Sequence, residues 1–309
     1  MNDFYPEGWL TNSKENQKIL SSVSAVEGAI KSGEVLEAVA QVCDSEHNLL
    51  VNLGCMRGII PHSEGAIGID SGDTRDIALL SRVGKSVCFQ VTDIKTDNLG
   101  RMTAILSRRA AQEKCMHRYI NRLRPGDVIN ARVTHLESFG AFCDIGCGVV
   151  ALLPINAISV SRISHPRDRF FAGEDIKVAV KSTEGGRITL THKELLGTWE
   201  ENAALFSQGE TVSGIVRSVE SYGVFIELAP NLAGLAEPRA DVYLGQTASV
   251  YIKSIIRDKM KIKLIIIDSF DKEYSQNKKY FIEGGHIDRW IYSPRDSYKQ
   301  IFTDFVENS

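Results

Sequence analysis

The 309-residue sequence lacks the features that mark a membrane or secreted protein. No run of residues approaches the roughly 18 apolar residues of a membrane-spanning helix, and residues 1–30 lack a basic start followed by an apolar core. The six cysteines include no CxxC pair with zinc-binding spacing. We therefore expect a cytoplasmic protein that does not enter a membrane and whose cysteines are reduced thiols.

Signatures of catalysis are also missing. The sequence has no glycine-rich phosphate loop ahead of a helix, no nucleophile elbow and no His/Asp cluster with metal-binding spacing. The seven histidines are dispersed along the chain. These absences predict a non-enzymatic protein with no cofactor and no resident metal ion.

The charge is small in sum but uneven in its distribution. The net charge is −3, and residues 33–80 contain two arginines against eight acidic residues. Residues 107–124 contain six basic residues against one acid, and residues 249–263 contain five against one. An acidic front followed by basic patches indicates that different parts of the chain bind different partners.

Alternation of apolar and polar residues predicts five short strands between residues 126 and 193. Gly140 follows the first strand and would permit a sharp reversal or a close approach of the backbone. Five strands in so short a stretch leave no room for an independent helical layer. The pattern therefore predicts a small closed barrel.

The same pattern recurs 83 positions later without a gap, so that Gly126, Phe142 and Leu152 correspond to Gly209, Phe225 and Leu235. A fainter copy comes first, in which Ile59-Ile60-Pro61 parallels Leu152-Leu153-Pro154. Internal repetition of this kind is typical of tandem domains. The sequence therefore predicts three barrels in a row.

The repeats carry a family resemblance. Gly126-Asp127-Val128, the turn Phe139-Gly140-Ala141-Phe142 and the segment from Gly186 to Leu190 resemble the S1 domain, an RNA-binding module with an OB fold. The resemblance covers residues 33–264. The tandem arrangement resembles a short form of the S1 ribosomal proteins of the bacterial small subunit.

The expected fold is mainly β, with three tandem five-stranded OB-fold barrels joined by short helices. Residues 11–32 have the apolar stripe of one amphipathic helix, which packs against the first barrel or binds a partner. The expected segments are an amphipathic N-terminal region (1–32), a first, acidic barrel (33–109), a basic helical connector (110–124), a second barrel (125–193), a helical connector (194–207), a third barrel (208–268) and a C-terminal extension of unknown role (269–309), in which 297–306 form a short helix.

The resemblance implies that aromatic side chains stack on bases while basic side chains follow the phosphates. In the third repeat, alternation turns Tyr251, Lys253, Lys261 and Lys263 outward; in the second it turns Arg187, Thr189 and Thr191 outward. The competing interpretation is that one aromatic of each pair belongs to the core. The candidate RNA-binding residues are Phe139, Phe142, Arg162, His165, Arg167, Lys181, Arg187, His192, Tyr222, Phe225, Lys253, Arg257, Lys261 and Lys263.

Two departures separate the repeats. The third-strand histidine of the family is replaced by Pro61, Pro154 and Glu237, and the first repeat has His47-Asn48-Leu49-Leu50 in place of the aromatic turn. In the connector, Lys114, Arg118 and Arg122 form a row that either contacts phosphates or is a solvated helix face. The second repeat is thus the first candidate for RNA binding, and the first repeat is the weakest.

The predicted function is non-catalytic binding of single-stranded messenger RNA. The resemblance further implies that the small ribosomal subunit is a partner through the N-terminal repeat. Two alternatives stay open: an accessory RNA-binding subunit of an RNA-turnover complex, and a protein-docking scaffold that does not bind RNA.

Overall fold

Three closed five-stranded barrels follow one another along the chain, which confirms the predicted fold class. The computed structural model describes residues 4–271 and 278–306. The chain divides into two compact units; one comprises residues 1–123, 130–132 and 144–150, and the other comprises residues 124–129, 133–143 and 151–309. None of the helices within the described residues has the length and apolar character required to cross a membrane.

Two short helices precede the first barrel where the sequence pattern predicts one. Helix α1 spans Lys14–Leu20 and α2 spans Val23–Ser32. The hydroxyl of Ser13 accepts the N–H of Asn16 and caps α1. The helix is interrupted at Ser22, because this residue has extended backbone angles and is the N-cap of the second helix. Gly33, with a φ of 59°, ends α2 in the left-handed conformation that glycine adopts without strain.

The first barrel has the strand order β1-β2-β3-β5-β4. Its strands are β1 (Leu36–Cys43), β2 (Leu49–Asn52), β3 (Arg57–Ile60), β4 (Ser86–Thr96) and β5 (Met102–Ser107), with the short helix α3 (Ile77–Leu80) between β3 and β4. Leu36, Leu49 and Phe89 are almost fully buried in its core. Helix α4 (Arg108–Arg118) follows directly, because the Ser107 hydroxyl accepts the N–H of Ala110.

The second and third barrels repeat this plan. The second contains β6 (Val128–Glu137), β7 (Gly140–Asp144), β8 (Val150–Pro154), β9 (Asp175–Ser182) and β10 (Thr189–Thr191), and the third contains β11 (Thr211–Glu220), β12 (Gly223–Ala229), β13 (Leu232–Ala236), β14 (Thr247–Ile256) and β15 (Lys261–Phe270). Helix α5 (Trp199–Ala203) lies between them, with Trp199 buried.

Gly140 and Gly223 begin equivalent strands for the same steric reason. A Cβ atom on Gly140 would lie 2.5 Å from the carbonyl oxygen of Leu153, and one on Gly223 would lie 2.7 Å from that of Ala236. Any side chain at either position would push the neighbouring strand away. The repeated glycine therefore permits a close approach of two strands next to each aromatic pair.

The C-terminal segment forms a two-stranded sheet, β16 (Arg289–Ile291) and β17 (Phe302–Asp304). The prediction of a helix over 297–306 is therefore wrong, because Trp290 pairs with Thr303 in an antiparallel ladder. Tyr292 is buried, and its hydroxyl donates to the carbonyl oxygen of Asn231 at 2.6 Å. Its own carbonyl accepts the N–H of Trp199 at 3.0 Å. The segment therefore fastens α5 to the third barrel.

Candidate nucleic-acid interface

Each of the two later barrels carries an aromatic pair in the same geometry. The rings of Phe139 and Phe142 meet edge to face, with centroids 6.0 Å apart and an interplanar angle of 89°. Tyr222 and Phe225 repeat the arrangement at 6.1 Å and 86°. Phe139 is 54% exposed and Tyr222 is 67% exposed, while their partners are half-buried. The interpretation that one ring of each pair belongs to the core is therefore wrong.

In the third barrel, strand register places the aromatic pair beside lysines. Phe225 lies opposite Leu235 on β13, and Leu235 lies opposite Lys263 on β15. Lys263 in turn lies opposite Ser254 on β14. One row across four strands therefore contains an aromatic ring, an aliphatic side chain and a cation.

A groove of about 620 Å³ follows this row. Its lining combines the aromatic pair with Leu235, Met260, Glu237 and three lysines, Lys253, Lys261 and Lys263. The three lysines are exposed, whereas Val250, Ile252, Ile262 and Leu264 between them are buried. The predicted alternation of the third barrel is therefore confirmed. Glu237 is the one acidic residue of the groove, so the groove carries a net positive charge.

The second barrel has the same face with fewer cations on its strands. Leu152 lies opposite Thr189, so a threonine stands where the third barrel has Lys263. Lys181 and Arg187 are exposed, as Lys253 and Lys261 are in the third barrel. His135, which is not among the residues predicted from the sequence, stacks its ring on Phe142 with centroids 6.5 Å apart. The signal for it is that His135 lies on β6, the strand next to Phe142.

The loop between β8 and β9 holds the remaining predicted cations of the second barrel. Arg162 and Arg167 are exposed. His165 is half-buried, and its Nδ1 accepts the backbone N–H of Arg167, so the imidazole caps a short 3₁₀ turn. Arg257, on the turn between β14 and β15, is exposed in the third barrel. Three of these four residues, the arginines, are therefore exposed to solvent, and His165 has one ring nitrogen engaged in a hydrogen bond.

His192 does not belong to the interface. It is fully buried, with Nδ1 2.8 Å from the carbonyl oxygen of Ile158 and Nε2 3.1 Å from the hydroxyl of Tyr280. Burial lowers the pKa of its imidazole to about 3, so the ring is neutral. The prediction that His192 contacts RNA is wrong, and Thr191, predicted to point outward, is also buried. Both positions pack against the segments that follow the barrel.

In the first barrel, the row equivalent to Phe225, Leu235 and Lys263 has neither an aromatic residue nor a lysine. Its row reads Val42, Leu50, Ile59, Ile105 and Asp93, with Leu50 at the position of Phe225 and Ile105 at that of Lys263. Counting back along the same strands, His47 stands in place of Tyr222 and Thr103 in place of Lys261. This row therefore forms an aliphatic face with Asp93 at one end, and the next row along the same strands contains Arg57, Thr103 and Lys95.

The three basic residues of the connector, Lys114, Arg118 and Arg122, have different environments in the structure. The Lys114 ammonium donates to the carbonyl oxygen of Gly33 at 2.5 Å, and α4 ends at Arg118. Arg122 follows in a 3₁₀ turn, and both arginines are exposed. The three residues line a cleft of about 920 Å³ that also contains Phe4, Tyr5 and Tyr119. Lys114 therefore has a structural contact, whereas the two arginines face solvent.

Comparison with known proteins agrees with this geometry. Residues 122–193 match the family model of the S1 RNA binding domain. The chain is 30% identical over 280 residues to the small ribosomal subunit protein bS1 of Staphylococcus epidermidis, covering 84% of this chain and 68% of that protein. It is 29% identical over 276 residues to the bS1 protein of Leuconostoc lactis, covering 85% of this chain and 59% of that protein. The chain thus spans about three fifths to two thirds of the length of these relatives.

Proposed function

Because the chain belongs to the family of small ribosomal subunit protein bS1, we propose that it binds single-stranded RNA, in particular messenger RNA, without catalysing a reaction on it. The observation that supports this most directly is the repeated edge-to-face aromatic pair, which in the third barrel lies in one groove with three lysines. Binding to messenger RNA on the small ribosomal subunit would place the protein in the cytoplasm.

The geometry favours a single strand over a duplex. An exposed ring such as Tyr222 offers its face to a base, and stacking contributes roughly 1–3 kcal/mol per base with little sequence preference. Bases in a duplex are already stacked and cannot reach the ring. The neighbouring lysines are strongly hydrated point charges that follow phosphates without reading sequence. We therefore expect tolerance of sequence and strong dependence on salt.

The affinity for RNA is raised because the RNA-binding faces of the second and third barrels are joined in one chain. Each barrel alone offers few stacking positions, but the second contact becomes intramolecular once the first has formed. In the unit that holds the third barrel and most of the second, Arg169 pairs with Glu227, and Tyr280 contacts His192. These contacts restrict the motion of one face against the other and so reduce the entropy lost on binding.

The first barrel is proposed to dock on the small subunit rather than to bind RNA. Residues 33–80 carry two arginines against eight acidic residues, and the row that corresponds to Phe225, Leu235 and Lys263 is aliphatic. A phosphate backbone would be repelled there, whereas a basic ribosomal protein surface would be attracted. The division of charge along the chain thus corresponds to a division of partners.

Two binding experiments test the proposal. Fluorescence anisotropy with labelled oligo(U), and with a duplex of the same length, should show tighter binding of the single strand by the full chain. Sedimentation with small subunits that have been stripped of their own bS1 should show association. Oligo(U) binding without subunit association would favour an RNA-turnover complex, and absence of RNA binding would favour a protein scaffold; either result contradicts the full proposal.

A further inference from the structure

Two histidines and an aspartate meet on the first barrel, at the place where the other barrels carry their aromatic turn. The Nδ1 atom of His47 lies 3.2 Å from one carboxylate oxygen of Asp76, and the Nε2 atom of His62 lies 2.7 Å from the other. The ligand atoms of the three side chains all lie within 4.8 Å of one another. We propose that this cluster is a binding site for a divalent transition-metal ion, with zinc as the best match.

The fold explains why the two imidazoles are neighbours. The positions of His47 and His62 correspond to Phe139 and Ile155 in the second barrel. There, the N–H of Ile155 donates to the carbonyl oxygen of Phe139 at 2.9 Å. In the first barrel the N–H of His62 donates to the side chain of Asn48, next to His47, at 3.0 Å. The barrel plan therefore brings these two positions together, and the first repeat has a histidine at both.

Asp76 comes from the link between β3 and β4, at the start of α3. The three ligands are separated by 15 and 14 residues, which does not match a linear metal-binding motif. The histidines therefore look dispersed in the sequence. The site is assembled by tertiary structure. Within the described part of the chain, His47, His62 and Asp76 are the one group of three or more His, Cys, Asp or Glu side chains whose ligand atoms come close enough to hold an ion.

The distances suit a small tetrahedral ion. Zinc binds imidazole nitrogen and carboxylate oxygen at about 2.0–2.2 Å, which places ligand atoms about 3.3–3.5 Å apart in a tetrahedron. The separation of 3.2 Å between His47 Nδ1 and one oxygen of Asp76 is close to that value. The separation of 2.7 Å between His62 Nε2 and the other oxygen would have to open by about 0.6–0.8 Å when the ion binds. Two imidazoles with one carboxylate form a donor set that favours zinc and similar transition ions over magnesium or calcium. A fourth position would stay open, because both histidines are 38% exposed.

Local contacts hold the ligands in place before an ion arrives. Asp44 accepts the backbone N–H groups of Glu46 and Asn48 and the side-chain amide of Asn48. This network fixes the turn that carries His47, whose φ is +62°. Histidine is one of the few residues that adopts such an angle with modest strain. A fixed turn lowers the entropic cost of forming the site.

The experiment uses the full chain and zinc chloride, with affinity measured by isothermal titration calorimetry in competition with a chelator. We expect one ion per chain, and we expect His47→Asn and His62→Gln each to weaken binding by roughly 10-fold or more, since loss of supporting contacts alone costs 10–100-fold. Asparagine is chosen for position 47 because it also adopts positive φ. Circular dichroism confirms that the variants fold.

Two controls make the result specific to this cluster. His135→Gln removes a histidine that faces Glu137 at 2.6 Å on the second barrel without a second imidazole, and it should leave zinc binding unchanged. Cys43→Ser removes the half-buried thiol at the end of β1, and the cobalt(II) complex should show no thiolate-to-cobalt absorption. Absence of stoichiometric binding, retention of binding in the His47→Asn/His62→Gln double variant, or loss in Cys43→Ser would overturn the proposal. Oligo(U) affinity of the double variant is a separate readout of the RNA proposal.

Discussion

Arg169 of the second barrel pairs with Glu227 of the third, and both side chains are almost completely buried. Glu227 also receives two bonds from Arg217, from Nε at 3.0 Å and from Nη2 at 3.2 Å. Arg169 lies at the end of the loop that exposes Arg162 and Arg167. One buried carboxylate therefore connects the arginine loop of the second barrel to strand β12, which carries Phe225.

Removal of that carboxylate should destabilise the pair of barrels. Glu227→Gln leaves the buried Arg169 guanidinium without its counter-charge, whereas the half-buried Arg217 keeps Asp168 at 3.6 Å. Loss of one partner of a buried ion pair typically costs about 3–5 kcal/mol. Urea unfolding followed by circular dichroism should show this loss. Glu220→Gln, an exposed glutamate on the same barrel, is the matched control and should change stability by less than about 0.5 kcal/mol. Equal stability of Glu227→Gln and wild type would show that the ion pair does not join the barrels.

Salt dependence should report the lysines of the third-barrel groove. Each phosphate contacted on a single strand contributes about −0.7 to the slope of log affinity against log salt. Lys263→Ala should make the slope shallower by about that amount. Lys95→Ala, which removes an exposed lysine from the first barrel, should leave the slope unchanged. A slope that is insensitive to Lys263 would place the phosphates elsewhere.

The strand pattern could be predicted from the sequence because burial in a barrel follows period-two alternation closely. Lys261 and Lys263 lie outside and Ile262 and Leu264 inside, as the alternation requires. Near the end of the strand the pattern fails: Thr191 has the outward spacing of Arg187 and Thr189, yet a later segment covers it. His192, predicted to contact RNA, has the inward spacing of Leu190 and is buried. Alternation gives the face of a residue within its own strand, but it contains no information on what else packs against that face.

Contacts between distant segments could not be predicted for the same reason. Nothing in the sequence near Glu227 indicates Arg169, 58 residues earlier. The row from Phe225 through Leu235 to Lys263 depends on register, which is a property of strand pairing and not of composition. The tyrosine that covers His192 lies in the C-terminal extension, for which the sequence predicts no role. Tertiary pairing therefore determines which side chains share a site.

The buried histidine should make stability sensitive to acid. Burial lowers the pKa of His192 from its usual 6.5 to about 3, so the unfolded chain takes up a proton in this range that the folded chain does not. The stability that His192 contributes is therefore present above pH 6.5 and is lost as the pH falls towards 3. One proton corresponds to a slope of about 1.4 kcal/mol per pH unit. Denaturant unfolding at pH 4–6 should show a steeper slope for wild type than for His192→Gln, and parallel curves would refute the assignment.

The aliphatic face of the first barrel should be required for docking and dispensable for RNA. Ile105→Lys places a cation where the third barrel has Lys263, and it disrupts an apolar contact surface. We expect sedimentation with bS1-stripped small subunits to be lost while oligo(U) affinity is retained. Leu99→Lys, at the exposed turn between β4 and β5, is the control and should still sediment. Loss of subunit association in both variants, or in neither, would contradict docking through this face.

The central claim is that the two aromatic pairs hold RNA by stacking. The most direct measurement is the oligo(U) affinity of a variant in which Phe139, Phe142, Tyr222 and Phe225 are all replaced by alanine. The control is Tyr243→Ala/Tyr298→Ala, which removes two exposed rings from other sites. Removal of one pair alone, Phe139→Ala with Phe142→Ala, should weaken oligo(U) binding by roughly 2–5 kcal/mol. The variant with all four substitutions should bind oligo(U) only non-specifically, while its circular dichroism spectrum is unchanged. Wild-type oligo(U) affinity in the variant with four substitutions, or an equal loss of affinity in the control variant, would contradict the claim.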